Sequence, residues 1–291
     1  MVVAVTGATG LIGKKLVERL QEADEVRALV RSPQKLKIPA FRWTDQEIPS
    51  QEALAGADAV IHLAGENIAG KRWTKARKEI LRRSRVSGTE NVVKGIENLP
   101  PSKRPKVLIS ASAIGIYGEL GDATADENSK AGNDFLADLC RDWEAAAMRA
   151  ESLGLRVVLL RTGLVLSKDG GVLEKMAPAT FGRGDQWMSW IHIDDEVGFI
   201  LHALKNPEVR GPYNLVSPQP VTNKVFTNEF ANIRRFPIIV PIPKLAIKLV
   251  LGELSEAVLM SQKVIPSRML ASGYQFQFSD LKTALKDVYS N

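Results

Sequence analysis

The first thirteen residues of this 291-residue chain constrain its fold more than any other stretch. An apolar run leads into a turn that carries evenly spaced glycines at Gly7, Gly10 and Gly13. Apolar residues then recur with the spacing of one helix face, at Leu11, Ile12, Leu16, Val17 and Leu20. The stretch therefore predicts a strand, a glycine-rich loop and a helix, in that order.

Each glycine of this loop has a mechanical role in a dinucleotide site. Gly7 permits a tight turn, Gly10 lets the backbone approach a pyrophosphate, and Gly13 brings the helix close to the strand. Unpaired N–H groups at the start of the helix attract the phosphates. The alternative is a plain tight turn between a strand and a helix, but the order of strand, glycine loop and helix favours a dinucleotide site.

The residues after the second predicted strand indicate which dinucleotide binds. That strand covers residues 25–30 and is followed by Arg31 and Ser32. In dinucleotide folds an acidic residue at this point suits the 2′-hydroxyl of NAD, whereas an arginine suits the 2′-phosphate of NADP. Arg31 therefore favours NADP, because a guanidinium pairs with a phosphate through two hydrogen bonds. The alternative is a surface arginine that starts a loop.

Strand and helix patterns alternate through most of the chain. Further strands are predicted around Ile61 and at residues 106–110, 155–160 and 212–216. This alternation predicts an α/β fold with a Rossmann-type, doubly wound parallel sheet and helices on both of its faces.

Two regions follow from this pattern. We assign residues 1–235 to the NADP-binding Rossmann domain, which includes a glycine-rich substrate loop at 167–190. Residues 236–291 are predicted to form a small, mainly helical C-terminal substrate or cap domain rather than another sheet.

The fourth predicted strand ends in a polar segment at residues 110–118. Open α/β sheets place their chemistry at this carboxyl edge. The hydroxyl of Ser112 and the phenol of Tyr117 are therefore candidate catalytic groups, since either can hydrogen-bond a substrate carbonyl or alcohol oxygen beside a nicotinamide. The alternative is a serine-rich turn with a packed tyrosine.

Three further polar residues have structural as well as functional interpretations. His62 lies inside an apolar strand, and we expect a hydrogen-bonded core histidine rather than a catalytic one. Asp194 and Asp195 could form a carboxylate pair for acid–base catalysis. Asp195 also stands where it could cap a helix at 196–204, and we favour the cap.

Composition and charge argue against several classes of protein. A single cysteine, Cys140, excludes an internal disulfide framework and favours a reducing, cytoplasmic compartment. We expect no signal peptide before the glycine loop, no metal ion, and no membrane span, because charged residues interrupt the apolar segment at 245–260. Basic residues crowd the segment 71–85 of a chain with net charge +6, but we interpret them as a solvated helix face and expect no nucleic-acid partner.

Several motifs together resemble one protein family. They lie at residues 6–13, 63–67, 71–73, 78–79, 84–85, 110–118, 141–147, 161–163, 190–195, 213–216 and 262–266. With them the chain resembles the extended short-chain dehydrogenase/reductase superfamily, also called the NAD-dependent epimerase/dehydratase family. It is most similar to the atypical branch labelled "epimerase family protein" and sometimes "cell-division-inhibitor-like". The resemblance extends from end to end.

The resemblance implies an NADP-binding Rossmann domain and a C-terminal domain of unknown function. It places the cofactor against the glycine loop, the arginine after the second strand, the turn after the third strand, an arginine on the next helix and the turn after the sixth strand. The candidate cofactor-binding residues are Thr6, Gly7, Thr9, Gly10, Leu11, Ile12, Gly13, Arg31, Ser32, Leu63, Ala64, Gly65, Glu66, Arg85, Ser110, Thr162, Gly163 and Val165.

The catalytic residues depart from the family pattern. Typical members carry a Tyr-x-x-x-Lys pair on the long helix, in which the lysine lowers the pKa of the tyrosine. The corresponding residues here are Leu136 and Cys140, whereas Ser112 matches the family's catalytic serine. The loop at 167–186 is also shorter than in similar proteins, which changes the substrate mouth.

Two functions remain as hypotheses. The first is an NADP(H)-dependent oxidoreductase or epimerase that acts on an unidentified small polar or nucleotide-linked carbonyl or alcohol, with Ser112 polarising the oxygen and Tyr117 as the proton donor. The second is a non-catalytic NADP(H)-binding sensor or regulator, which the missing Tyr–Lys pair suggests. The sequence leaves the substrate and the oligomeric state open.

Overall fold

The computed structural model describes residues 1–171, 173–175 and 178–290. Within these ranges the strands are β1 (Val2–Thr6), β2 (Glu25–Val30), β3 (Ala40–Arg42), β4 (Ala59–His62), β5 (Val107–Ala113), β6 (Thr124–Ala125), β7 (Arg156–Thr162), β8 (Leu164–Leu166), β9 (Ala179–Phe181), β10 (Trp187–Met188), β11 (Trp190–His192), β12 (Gly211–Leu215), β13 (Val221–Thr222), β14 (Val240–Ile242) and β15 (Lys263–Val264). The α-helices are α1 (Leu11–Leu20), α2 (Gln51–Leu54), α3 (Lys75–Glu97), α4 (Phe135–Met148), α5 (Ile193–Lys205), α6 (Asn223–Arg234), α7 (Lys244–Leu251), α8 (Leu254–Leu259), α9 (Ser267–Ala271) and α10 (Leu281–Tyr289).

A central parallel sheet organises the structure. Among the described residues it has seven strands in the order β12-β7-β5-β4-β1-β2-β3. From β1 the chain builds outward through β2 to β3, and it then returns to the other side of β1 to add β4. The strand order therefore reverses between β1 and β4, and a crevice opens there at the carboxyl ends of the strands, where open α/β sheets bind ligands.

The predicted Rossmann-type sheet is confirmed, with one added strand. The strands predicted from the sequence all belong to the sheet, and β2 has the predicted bounds of 25–30. The strand β3 was not predicted, because it has only three residues at the edge of the sheet and all three are partly or fully exposed. A short strand with few buried side chains gives a weak apolar pattern.

Helices cover both faces of the sheet because successive residues of a strand point to opposite sides. Val3 and Val5 of β1 pack with the apolar residues of α1 and α5. Ala4, which lies between them, packs on the other face with residues of α2, α3 and α4. The two strands at the centre, β1 and β4, are therefore buried on both sides, as their nearly continuous apolar sequences require.

The C-terminal region is mainly helical, as predicted, with two short strands that the sequence did not indicate. β14 pairs with β9, and β15 pairs with β6, in parallel two-stranded sheets. Proline interrupts or flanks these segments and hides the strand pattern. The apolar segment at 245–260 forms the separate helices α7 and α8. Within the described residues, no helix combines the length and the apolar character that crossing a membrane requires.

The start of α5 corrects one prediction. The helix begins at Ile193, and its N-cap is His192, whose Nδ1 accepts a hydrogen bond from the Asp194 backbone N–H at 3.2 Å. The prediction that Asp195 caps this helix is wrong, because the helix starts earlier and places Asp195 inside its first turn.

The carboxylate of Asp195 instead holds the C-terminal segment. It is completely buried and accepts hydrogen bonds from the backbone N–H groups of Gln277 at 2.7 Å and Phe278 at 2.9 Å. The Tyr274 hydroxyl lies 3.1 Å from the same carboxylate. Asp195 is therefore an anchor between α5 and the segment before α10.

Replacing Asp195 by alanine would remove the acceptor of two partly buried backbone N–H groups, those of Gln277 and Phe278. We expect Asp195→Ala to lower the free energy of unfolding by about 2–4 kcal/mol, since each donor left without a partner costs up to about 1–3 kcal/mol. Chemical denaturation followed by circular dichroism measures this change. The control is Asp194→Ala, which removes a partly exposed ion pair with Lys15 and should cost less than about 1 kcal/mol. Equal losses in the two variants would contradict the anchoring role.

Candidate functional site

A cavity of about 290 Å³ lies at the point where the strand order reverses. It brings together the glycine loop, the ends of β2 and β3, and the turn after β4. Its lining residues are Gly7, Thr9, Gly10, Leu29, Val30, Arg31, Trp43, Thr44, Asp45, Leu63, Ala64, Gly65, Glu66 and Ser84. Eight of these lining residues are predicted from the sequence to bind the cofactor.

Two positions of the glycine loop, Gly7 and Gly13, have no room for a side chain. Gly7 has a φ of +71°, and a Cβ built on it would lie 2.8 Å from the backbone nitrogen of Ala64. A Cβ on Gly13 would lie 2.1 Å from the Gly7 carbonyl oxygen. The tight turn and the close contact between helix and strand, which the sequence predicted for these two positions, are therefore present.

The start of α1 is suited to an anion. Gly10 is its N-cap and offers no side chain to the N–H groups of the first turn. Within that described turn there is also no acidic residue. These N–H groups carry the positive end of the helix dipole and face the loop, so a pyrophosphate fits the cradle that the three glycines leave open.

The outer end of the cavity contains Arg31 together with residues that the sequence did not indicate. Arg31 is exposed and lines the cavity directly after β2, whereas Ser32 is half-buried and is not among the lining residues. Trp43, Thr44 and Asp45 follow the short strand β3 and were missed with it. The sequence signal that could have predicted these residues is the short strand-like run at 40–42, directly before Trp43.

The turn after β4 is held from below by a hydrogen-bonded histidine. His62 is completely buried, and its Nδ1 lies 2.7 Å from Thr6 Oγ1, while its Nε2 lies 3.0 Å from Thr89 Oγ1. Burial lowers the pKa of His62 to about 4. Thr6 Oγ1 also accepts from the Ala64 N–H. The prediction of a satisfied core histidine is confirmed, and Thr6 acts on the cavity through the turn.

Arg85 supports the same turn from α3. Its Nη1 donates to the Glu66 carbonyl oxygen at 3.0 Å, and its guanidinium lies 5.2 Å from the ring of Trp143. A Cβ on Gly65 would lie 3.5 Å from the Arg85 guanidinium carbon. Burial lowers the pKa of Arg85. The structure thus brings Arg85 beside residues 64–66, which are themselves candidate cofactor residues, and the contact of Arg85 with a cofactor stays a prediction.

Ser110 and Ser112 lie on β5, next to β4 in the sheet. Ser110 is completely buried and pairs in register with His62. Ser112 Oγ donates a hydrogen bond to Glu144 Oε1 of α4 at 2.7 Å. The nominated catalytic serine is therefore held by a carboxylate that the sequence did not identify as functional.

Tyr117 belongs to the same polar network. Its hydroxyl donates to Asn214 Oδ1 at 2.7 Å and accepts from Arg161 Nη1 at 2.9 Å. The side chain is buried, and burial raises its pKa. Tyr117 is not part of the described wall of the 290 Å³ cavity. The structure thus places its phenol inside a network of fixed hydrogen bonds.

Glu144 and Arg161 form the centre of this network. Arg161 donates through Nε to Glu144 Oε1 at 2.8 Å and through Nη2 to Oε2 at 2.9 Å, and both residues are buried. Burial opposes the charge on Arg161, but the hydrogen bonds that it donates to Glu144 raise its pKa. Both residues belong to motifs at 141–147 and 161–163, which is the sequence signal that could have found them.

Leu136 and Cys140 occupy the positions of the family's Tyr–Lys pair, but their side chains cannot perform the proton transfer of that pair. Leu136 and Cys140 lie on α4 against Gly115. Burial raises the pKa of the Cys140 thiol to about 12, so the thiol stays neutral at physiological pH. Neither position supplies a phenol or a fixed positive charge.

The turn after β7 contains the remaining cofactor candidates. Thr162 Oγ1 donates to Glu196 Oε1 at 2.7 Å, and Gly163 packs so closely that a Cβ would lie 2.6 Å from the Ser189 carbonyl oxygen. Val165 pairs with β11, and Leu11 and Ile12 pack against the core beside it. These residues lie outside the walls of the 290 Å³ cavity.

Among the residues that the structure describes, one group of side chains has ligand atoms close enough together to share a cation. His192, Asp194 and Asp287 each offer one such atom, and the atoms lie within 4.8 Å of one another. The ammonium of Lys15 already lies 2.8 Å from Asp194 and neutralises part of the acidic charge. We therefore assign no metal to this group.

Together the sheet and the glycine cradle define a dinucleotide-binding Rossmann protein. A model of the NAD-dependent epimerase/dehydratase family matches residues 3–216, and a model of a domain of unknown function matches residues 242–288. The chain belongs to this epimerase/dehydratase family.

Relatives are similar to the chain over almost its entire length. It is 39% identical to the Arabidopsis thaliana epimerase family protein SDR39U1 homolog, chloroplastic, over 99% of this chain and 86% of that protein. It is 40% identical to the Mycobacterium bovis epimerase family protein Mb2239, over 98% and 96%. The crystal structure of human epimerase family protein SDR39U1 with NADPH superposes with a TM-score of 0.89 at 33% identity, over 99% of both chains.

The buried carboxyl of Glu196 gives this site a pH dependence. Burial raises its pKa from 4.5 to about 8, so the folded protein holds this proton more tightly than the unfolded chain. The contribution of Glu196 to the free energy of unfolding is largest below about pH 4.5. It falls by about 1.4 kcal/mol per pH unit as the pH rises toward 8.

We expect Glu196→Gln to flatten the dependence of the unfolding free energy on pH between about 5 and 8. Denaturant titrations at several pH values measure this slope. Glu208→Gln, which changes an exposed carboxyl, is the matched control and should keep the wild-type slope. A wild-type slope in the Glu196 variant would show that Glu196 does not take up the proton.

Proposed function

We propose that this protein binds NADP(H) in the 290 Å³ cavity and acts as an oxidoreductase or epimerase on a carbonyl or alcohol substrate. The single observation that carries the proposal is the glycine cradle at the start of α1, with Arg31 at the outer end of the same cavity. The NADPH in the structure of the human family member supports the choice of cofactor.

The residues present fit this cofactor. The free N–H groups in the first turn of α1 would hold the pyrophosphate, whereas the Gly10 N–H already donates to the Gly7 carbonyl oxygen at 2.9 Å. Arg31 would pair with the 2′-phosphate. Leu63, Ala64 and the other residues of the turn after β4 would contact the dinucleotide along its length. When bound, the nicotinamide supplies a hydride donor or acceptor.

Ser112 is the residue that we assign to the substrate oxygen. Its hydroxyl is already oriented by Glu144 at 2.7 Å, and Glu144 is in turn held by Arg161. Because its proton is donated to Glu144, Ser112 Oγ can accept a hydrogen bond from a substrate hydroxyl in this arrangement without a further loss of side-chain entropy. The sequence predicts Tyr117 as a proton donor. We assign it instead the role of positioning Arg161, which donates a hydrogen bond to its hydroxyl.

The alternative function is a non-catalytic sensor of NADP(H). The observation that favours it is the pair of Leu136 and a neutral Cys140 at the positions where family members use tyrosine and lysine. In this alternative, binding of the cofactor changes the shape or charge of a surface to which a partner protein binds.

Arg31→Glu tests the cofactor assignment. Since a carboxylate repels the 2′-phosphate, we expect the Kd for NADPH to rise by about 10–100-fold while the Kd for NADH changes little. Isothermal titration calorimetry with both cofactors measures these constants. Arg19→Glu on α1, which makes the same change of charge at another exposed arginine, is the control. An equal loss of NADPH and NADH binding would contradict the assignment.

Ser112→Ala tests the catalytic proposal. A panel of aldehydes, ketones and nucleotide sugars, followed at the nicotinamide absorbance, first identifies a compound that the wild type converts. We then expect Ser112→Ala to lower turnover by about 100-fold with unchanged NADPH affinity. Ser152→Ala, at an exposed serine, is the control. Tight NADPH binding with a silent panel would favour the sensor.

A further inference from the structure

Most of the large apolar side chains that are exposed on this protein lie in one short stretch of the C-terminal region. Among the described residues, ten such side chains are exposed, and six of them fall between positions 236 and 250. We call these six the 236–250 surface: Phe236, Ile238, Val240, Leu245, Leu249 and Val250. Exposed apolar residues at this density mark a surface that binds a protein or a membrane.

We propose that the 236–250 surface docks on a lipid bilayer whose headgroups are anionic. Docking of this kind places apolar side chains at the boundary between headgroups and acyl chains, and it needs no helix that crosses the bilayer. The inference goes beyond the proposed function and does not depend on it, since no residue of this surface lines the 290 Å³ cavity.

The helix α7 turns apolar side chains toward solvent. Ile247 packs inward and is buried, whereas Leu245 and Leu249 are 69% and 71% exposed. With about 3.6 residues per turn, Leu245 and Leu249 share one face of the helix, nearly opposite Ile247. The solvent side of a surface helix is normally polar. This face of α7 is therefore suited to an apolar environment.

The strand β14 adds Val240 to the surface but offers no edge to a partner strand. The Val240 N–H donates to the Pro178 carbonyl oxygen at 3.0 Å, and the Ile242 carbonyl oxygen accepts from the Gly182 N–H at 2.8 Å. Both residues thus direct their backbone groups toward β9. Pro241 lies between them and faces the free edge, where it has no N–H to donate. This disfavours recognition by strand addition.

The surface offers few groups for directional recognition. Its side chains are apolar, and Pro237, Pro241 and Pro243 remove three backbone donors from the stretch that carries them. Protein–protein interfaces carry about one hydrogen bond per 100–200 Å². Acyl chains need none, so the chemistry of this surface favours a lipid partner.

The basic segment 71–85 begins beside α7. Arg72 is exposed, and its Nη2 donates a hydrogen bond to the Leu249 carbonyl oxygen. Lys71 and Lys75 lie on either side of Arg72 in the chain and are also exposed. The start of the segment therefore places positive charge next to the exposed face of α7.

Two arginines add positive charge at the other end of the surface. Arg234 and Arg235 are exposed and directly precede Phe236. No acidic residue lies between positions 230 and 252. Within the described residues, no carboxylate forms an ion pair with any of the five flanking cations, which are Lys71, Arg72, Lys75, Arg234 and Arg235.

The carboxylates near α7 are largely compensated by lysines. Glu253 pairs with Lys78. Three other carboxylates line a cavity of about 370 Å³ together with the two lysines of α7: Glu119, Asp134 and Glu256 with Lys244 and Lys248. This group leaves one carboxylate in excess, against the five flanking cations. The surroundings of the 236–250 surface are therefore cationic, which matches anionic headgroups.

A second copy of this chain fits the surface less well. A two-fold contact brings the same patch against itself, so the flanking cations would meet their own copies. Like charges across an interface weaken it. A bilayer with anionic headgroups offers an apolar layer and the opposite charge in one surface, and each Lys or Arg near it strengthens binding by about fivefold.

The experiment sediments the full chain with two kinds of vesicle. One contains phosphatidylcholine alone, and the other contains about one-quarter phosphatidylglycerol. We expect the protein to bind the anionic vesicles, to bind the neutral vesicles at least about tenfold more weakly, and to bind the anionic vesicles less tightly as the salt concentration rises.

Two double variants test the two parts of the surface. We expect Leu245→Ser/Leu249→Ser to weaken binding of the anionic vesicles by at least about tenfold, because it removes apolar area. The control Val225→Ser/Leu270→Ser changes exposed apolar residues on α6 and α9 and should keep the wild-type affinity. Thermal unfolding checks that all variants are folded.

The charge variant is Lys71→Gln/Lys75→Gln, for which we expect about 10–25-fold weaker binding. Lys282→Gln/Lys286→Gln on α10 is the matched control, because it removes the same charge from exposed lysines with the same spacing. This control should stay within about twofold of the wild type, since attraction by distant charges is screened.

A fluorescent label reports whether the surface enters the lipid. Cys140 is buried, so a thiol-reactive, environment-sensitive dye can be directed to Val250→Cys. We expect its emission to shift to the blue with anionic vesicles. The same dye at Leu270→Cys on α9 should not shift.

Several outcomes would overturn the inference. They are no vesicle binding, equal binding of both kinds of vesicle, equal losses in a variant and its control, or equal shifts of the two dyes. A concentration-dependent dimer in light scattering that Leu245→Ser/Leu249→Ser abolishes, without vesicle binding, would show that a second copy covers the surface instead.

Discussion

The contact on which the rest of this structure depends is the approach of two backbones at the glycine loop. The start of α1 lies against the turn after β1 so closely that a Cβ on Gly13 would meet the Gly7 carbonyl oxygen at 2.1 Å. On the other side, Gly7 lies against the backbone of Leu63 and Ala64 in the turn after β4. One loop therefore fixes a helix start and two strand ends at the point where the strand order reverses.

A second constraint joins the far strand ends to the C-terminal region. Asn214 of β12 accepts from Tyr117 and donates through Nδ2 to the Ile265 carbonyl oxygen at 3.0 Å. The Glu127 carboxylate accepts from the backbone N–H groups of Asn214 and Arg268. Burial raises the pKa of Glu127, and these hydrogen bonds oppose the rise. Buried polar groups of this kind specify one arrangement, because each unmade bond would leave a desolvated group.

The sequence predicted the elements whose signal is local. The apolar run of β1, the glycine loop and the helical spacing of α1 lie within twenty residues, and their pattern is strong. The edge strand β3 has three residues and little burial, so it was missed, and with it Trp43, Thr44 and Asp45 at the cavity.

Contacts between distant segments could not be predicted in this way. The role of Asp195 depends on backbone groups 82 and 83 positions further along the chain, which no local pattern encodes. Glu144 and Arg161 pair across the fold for the same reason, although each sits in a recognisable motif. The sequence located Ser112 at a strand end, and the fold supplied the carboxylate that orients it.

The missing Tyr–Lys pair changes which part of the family chemistry this site retains. Leu136, Cys140 and Glu144 follow one another at four-residue spacing and therefore share one face of α4. Two of them are neutral, and Glu144 is compensated by Arg161. Arg85 and Arg77 both lie beside the turn after β4, where Arg85 donates to a backbone carbonyl oxygen and Arg77 pairs with the Glu66 carboxylate. The site thus keeps the cradle for a dinucleotide and an oriented hydroxyl at Ser112, while the wall where a phenol would stand is apolar. For the proposed oxidoreductase, this arrangement leaves Ser112 with its carboxylate partner, or a group of the substrate itself, as the route of proton exchange.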